Sequence, residues 1–354
     1  MGNTDDKPTL KITLEDLENV VLPQQPVMAG PGGAAASAKQ YGNITGESGD
    51  VAAPLQEKGS IFLQGWFYLG IAGLLGALLG WGVTEPFMVD GEAPTNGFIV
   101  FIMVALVIMF LCFGFSVAES IAERSLQKAM IRGLLSLALG LVFSVVFLFA
   151  GGLVYRVGME ICGAMGVQSY RNPAVWVARS VAWMVFAAAS GLVYGLVDRS
   201  VKKGRFGVLG AVIGGGIGGI LFDPISFLTK SGGPSRGVGF GLIGLAAGVA
   251  IGIVESALKD RWIYVAGGPL AGKQFILYKP VTTIGSNQQN DIYLFKDTSI
   301  LPQHGSIEVR GAQTILRAIG PIFVSGQPIK SRVLASGDLI QIGRYAFHFR
   351  EKQR

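Results

Sequence analysis

The sequence predicts an α-helical polytopic membrane domain of about six Gly-rich transmembrane helices, followed by a C-terminal all-β domain. Three observations carry this. Half of the 354 residues are hydrophobic and only 15% are charged, against roughly 25% charge in a soluble chain. The apolar residues gather into six long runs in the middle of the sequence. From Trp262 onward the pattern changes to short alternating runs separated by Gly, Pro, Asn and Asp.

Residues 1–60 read as a polar cytoplasmic tail. It has no apolar core of a signal peptide, and Asp6 stands where a myristoylation signal needs Ser or Thr. Thr13-Leu14-Glu15-Asp16 resembles a capping box opening a short amphipathic helix over 14–21, which Pro23 ends. Thr13 itself reads as the N-cap of that helix. From Ala29 to Ser60 the chain turns to Gly, Ala, Ser, Asn and Pro, the composition of a disordered linker.

The membrane domain is expected over 61–258, with spans at about 61–83, 98–118, 133–154, 175–197, 206–222 and 237–254. The last two are short and very rich in Gly, so a re-entrant hairpin competes there with full spans. Basic residues fall in the second-to-third connection (Arg124, Lys128, Arg132), the fourth-to-fifth (Arg199, Lys202, Lys203, Arg205) and after the sixth run (Lys259, Arg261). The connection 84–97 holds Glu85, Asp90 and Glu92 and no base. The positive-inside rule then puts both termini in the cytoplasm, in a bacterial inner membrane. Arg124-Ser125-Leu126-Gln127-Lys128 and Arg199-Ser200-Val201-Lys202-Lys203 look like two copies of one turn, each preceded by an acid, Glu119 and Asp198.

Glycines recur four residues apart: Gly76 and Gly80; Gly191 and Gly195; Gly210, Gly214 and Gly218; Gly244, Gly248 and Gly252. That spacing puts them on one helix face, where two backbones can close on each other. A packed bundle, a face for homo-oligomers and a backbone-lined conduit all use such a face. Glu85, Glu119, Asp198 and Glu255 fall at expected span ends, and Arg179 lies close enough to an end to snorkel to the interface.

With two His in the chain a His-based metal site is excluded, and Cys112 reads as a small buried hydrophobe. The net charge of +6 is scattered, with no block suited to nucleic acid or to a polybasic lipid anchor. No phosphate-binding loop, nucleophile elbow or paired carboxylate is present, so no enzyme activity, metal or cofactor is expected.

In residues 262–354 the order of turns is specific. Thr283-Ile284-Gly285 leads to Asn290-Asp291-Ile292, then Asp297-Thr298-Ser299-Ile300, His304-Gly305-Ser306-Ile307, Val324-Ser325-Gly326 and Gly337-Asp338-Leu339. This succession resembles the forkhead-associated (FHA) domain, a β-sandwich whose loops read phosphothreonine peptides. The resemblance implies that Ser286, Asn287, Leu301, His304, Gly320 and Ser325 line a partner-binding surface. Where the family has an Arg, a Ser and an Asn, this sequence has Ser286, Leu301 and Gly320. A phosphate dianion needs a guanidinium or several charge-assisted donors, so the resemblance implies a sandwich with its clamp lost. The expected role is a membrane scaffold or signalling adaptor binding a cytoplasmic or membrane protein; the alternative is a channel or transporter regulated by this domain.

Overall fold

A computed structural model describes residues 61–89, 96–167, 169, 171–229 and 232–352. The expected tail helix over 14–21, the Thr13 cap, the linker and residues 90–95 lie outside them. The described residues all fall within one compact unit.

Six helices come first: α1 Gly65–Thr84, α2 Asn96–Ala122, α3 Leu126–Ala164, α4 Pro173–Val197, α5 Val201–Thr229 and α6 Gly232–Leu258. All six contain a segment long and apolar enough to cross a membrane. Every helix outruns its expected span at one end or both, because polar residues at the ends extend the helix beyond the hydrocarbon-like stretch. The excess is greatest in α3, whose 39 residues measure about 58 Å at 1.5 Å per residue. The short fifth and sixth runs lie inside uninterrupted helices of 29 and 27 residues, each with a segment long enough to cross a membrane. Helix α5 continues through Pro224, which removes one backbone donor from its ladder.

Each helix packs on its neighbours in sequence and α6 closes on α1, while α2 also meets α4. The resulting ring is filled at its centre by Phe115, Trp183, Tyr194, Phe240 and Ile243. The glycines explain how close the backbones come. A Cβ on Gly76, Gly80, Gly191, Gly195, Gly210, Gly214, Gly218, Gly244, Gly248 or Gly252 would run into backbone atoms of an adjacent helix. These ten are therefore used in contacts within the chain, not between copies of it.

The two look-alike turns share one geometry. Arg124 and Arg199 sit in the left-handed region with φ 55 and 53. Ser125 and Ser200 cap the next helices by accepting from the amides of Lys128 and Lys203. Each Lys then returns its ammonium to an acid five residues back, Glu123 or Asp198. The acid matching Asp198 is thus Glu123 and not Glu119, since the shared offset is set by the side chain's reach across the turn.

Nine strands follow: β1 Arg261–Gly267, β2 Gln274–Ile276, β3 Val281–Gly285, β4 Ile292–Tyr293, β5 Gly305–Arg310, β6 Gln313–Val324, β7 Gln327–Val333, β8 Leu339–Ile342 and β9 Tyr345–Glu351. They run in the order β2-β1-β9-β8-β6-β5-β3-β4, with β7 on β6. The pairs are antiparallel except β3–β4. Alternating apolar residues turn inward onto a separate core that includes Ile263, Ile284, Leu294, Ile307, Leu316, Val324 and Phe347.

Candidate functional site: the loops of the C-terminal domain and their seat on the bundle

His304 organises the loops. It is 1% exposed. Its Nδ1 accepts from the amide of Leu301 at 3.0 Å, which puts the ring proton on Nε2, and Nε2 donates to the carbonyl of Pro321 at 3.0 Å. Its own carbonyl accepts from the amides of Ile319 and Gly320, both at 2.9 Å. One imidazole thereby ties the β4–β5 loop to the middle of β6. Gly320 lies against the ring so closely that any Cβ would collide with it.

Ser286 donates from its hydroxyl to the carbonyl of Ile300 at 2.8 Å, joining the β3–β4 loop to the β4–β5 loop. Asn287 is exposed and closes its own turn, accepting from the amide of Gln289 at 3.0 Å. Leu301 is 43% exposed. Ser325 and Gly326, with φ 50 and 79, form the two-residue turn between β6 and β7. Ser286, Leu301, His304 and Gly320 are thus linked through one set of hydrogen bonds. Asn287 stands at the rim, and Ser325 has a turn-forming role.

The sequence reading missed the seat of this domain on the bundle. Gln288 Oε1 accepts from the Gln127 amide at 3.1 Å and from the Ser125 hydroxyl at 3.3 Å. In doing so it satisfies an amide at the start of α3 that has no partner within the helix. Lys128 donates to the carbonyl of Asp291 at 3.1 Å and pairs with Glu123 at the same distance. Lys273 of the β-domain pairs with the other oxygen of Glu123 at 3.2 Å, and both side chains are almost fully buried. The Arg124 guanidinium lies over the Phe295 ring at 5.8 Å. Beneath these contacts Lys203 joins Glu119 to Asp198, and Arg132 reaches Asp198 at 2.9 Å.

Polar groups at the other end of the bundle are also paired. Arg179 pairs with Asp223 of α5 and lies 3.4 Å from the Tyr155 hydroxyl. Arg236 binds Glu85, whose carboxylate also accepts from Trp81 at 2.7 Å. This pairing neutralises a base at the end opposite the two basic turns. No sequence periodicity signals such pairs, because they join residues 44 and 151 positions apart.

The fold and loops define an FHA-type sandwich mounted on a six-helix bundle. The chain belongs to the forkhead-associated family through this C-terminal domain. Residues 264–353 match the family described as the inner membrane component of T3SS, cytoplasmic domain. The glycogen accumulation regulator GarA of Mycolicibacterium smegmatis is 30% identical over 118 residues, spanning 32% of this chain and 67% of the relative. An oxoglutarate dehydrogenase inhibitor of Corynebacterium efficiens is 30% identical over 107 residues, spanning 29% of this chain and 75% of the relative. Among solved structures, the FhaA FHA domain complexed with the intracellular domain of Rv3910 aligns over 26% of this chain and all of that one, at 22% identity and a TM-score of 0.24. The FHA domain of CT664 from Chlamydia trachomatis aligns over 27% of this chain and all of that one, at 22% identity and a TM-score of 0.25.

Proposed function

We propose that this protein is a non-enzymatic adaptor of the bacterial inner membrane. Its six helices span the bilayer with both termini cytoplasmic, and its FHA-type domain holds a protein partner without a phosphothreonine clamp. One observation carries this reading: the clamp positions are turned to internal use. The Ser286 hydroxyl already donates to Ile300, the Leu301 side chain has no donor, and Gly320 has no room for a side chain beside His304. A phosphate dianion brought there would lose its water and meet no guanidinium.

The test is a titration of the full chain in detergent with fluorescent phosphothreonine peptides of degenerate sequence. No saturation is expected up to about 1 mM, the weak end of specific binding. Micromolar binding that vanishes on dephosphorylation would overturn the reading.

A further inference from the structure

We propose that Leu301, Ile319, Pro321 and Phe323 form the partner-docking surface of the C-terminal domain. Its ligand is an unphosphorylated protein segment with an apolar anchor and acidic flanks. This rests on the adaptor reading above and names where and what that adaptor binds.

The four residues are exposed although apolar, with Leu301 at 43%, Ile319 at 62% and Phe323 at 40%; Pro321 is exposed beside them. Residues 319, 321 and 323 alternate along β6, so they share a side of the strand. They stand out because β6 shifts register against β7 between Arg317 and Ile322, leaving β6 three residues longer than its partner there. His304 holds this bulge in place through its carbonyl, which binds Ile319 and Gly320, and through its Nε2, which binds Pro321. Its Nδ1 fixes Leu301 alongside. A buried side chain therefore presents four apolar ones to solvent, at the edge where the family carries polar phosphate ligands. Such an exposed group, rigidly backed, is the kind of surface on which a few anchors carry the binding energy.

Charge specifies the partner further. Residues 261–352 hold eleven Lys and Arg against five Asp and Glu. Pro328 lies directly across from Phe323, and exposed Lys330 follows two residues later on the same strand. Arg317, half exposed, precedes the bulge on β6 but is already paired with Glu308 at 2.9 Å. An apolar anchor on Leu301 and Phe323 would thus have the Lys330 ammonium beside it, which favours acidic flanking residues and faster encounter.

A photoreactive phenylalanine analogue at Ile319 or Phe323 of the full chain, in native membranes, tests this, with Val281 on β3 as control. We expect one protein to cross-link at 319 and 323. Mass spectrometry should place the adduct in a segment with an apolar residue between Asp or Glu. Leu301→Asp and, separately, Lys330→Glu should each lower the yield about tenfold, the effect of losing one anchor or inverting one flanking charge. Unchanged melting of both variants separates this from misfolding. A partner cross-linked only through Val281, a second copy or lipid at 323, or a phosphorylated segment would overturn the proposed surface while leaving the adaptor reading. No protein adduct from any exposed position of the domain would remove both.

Discussion

At the scale of single residues, small size and local bonding decide more than chemical type. Gly248 and Gly214 each hold a close helix approach, because a Cβ there meets the backbones around Leu69 and Ala247. Gly152 on α3 has nothing within 4 Å of that position. Gly214→Leu and Gly248→Leu should therefore abolish monodisperse protein in detergent, whereas Gly152→Leu should leave the elution profile unchanged. Asp291 makes a second residue-level case. Burial alone would raise its carboxyl, but hydrogen bonds from Lys279 and the Thr283 amide outweigh that and hold it below its ordinary value of 3.8. The stabilisation is present above that value and disappears as pH falls through the folded pKa. His348 adds an acid-sensitive limb higher up, since burial and the nearby Arg350 charge push it below 6.5. Melting followed against pH should show a loss of stability below pH 6.5 and a further loss below 3.8. Asp291→Asn should shrink the lower step, to which Asp297 also contributes, and leave the upper one unchanged.

At the scale of elements, the question is what fixes the β-domain to the α2–α3 turn. Gln288 caps α3, and Glu123 is shared by Lys128 and Lys273. Removing one partner of a buried ion pair costs roughly 3 kcal/mol because the remaining charge stays desolvated. Lys273→Met should accordingly release the seat while leaving both cores folded. Hydrogen exchange would show it as faster exchange at the Gln127 amide with unchanged protection in β6 and β9. Unaltered exchange at Gln127 would mean that Gln288 and Lys128 suffice. The turns also report topology. Cysteines in place of exposed Gln127 or Arg199 should resist a membrane-impermeant thiol reagent in intact cells, and one in place of exposed Gly97 should react. The buried ammoniums of Lys128 and Lys203 make those two positions uninformative for labelling.

At the scale of the whole molecule, two cores meet along a charged seam. The ring of helices is closed by α6 on α1 and filled at its centre by aromatic side chains. Helix α1 begins beside Gly252, six residues before α6 ends, so chain entry and the β-domain lie at the same end of the bundle. The two basic turns also lie at that end, through the contacts of Lys128 and Phe206 with the β-domain. One loop edge of the sandwich therefore faces the bundle, and the Leu301–Phe323 patch is left to solvent. Partner binding at that patch should not require the seat to open. The Lys273→Met variant should thus keep the cross-link at Phe323, a measurement that separates docking from seating.

The six long apolar helices, the basic turns and the β-domain were legible in the sequence because each rests on local signals: length of an apolar run, charge near its ends, and alternation between turn residues. The glycine spacing likewise named which residues allow close approach. It could not say whether a neighbouring helix of the same chain or of another copy would fill the gap. Only the tertiary structure decided that the gap is filled from within, that Arg179 meets Asp223, and that Glu123 rather than Glu119 completes the first turn. It also decided that Gln288 and Lys273 belong to a seam with the bundle. The reason is physical: a buried charge or an unpaired helix amide must find a partner, but nothing in its own stretch of sequence says which distant residue folding will bring within 3 Å.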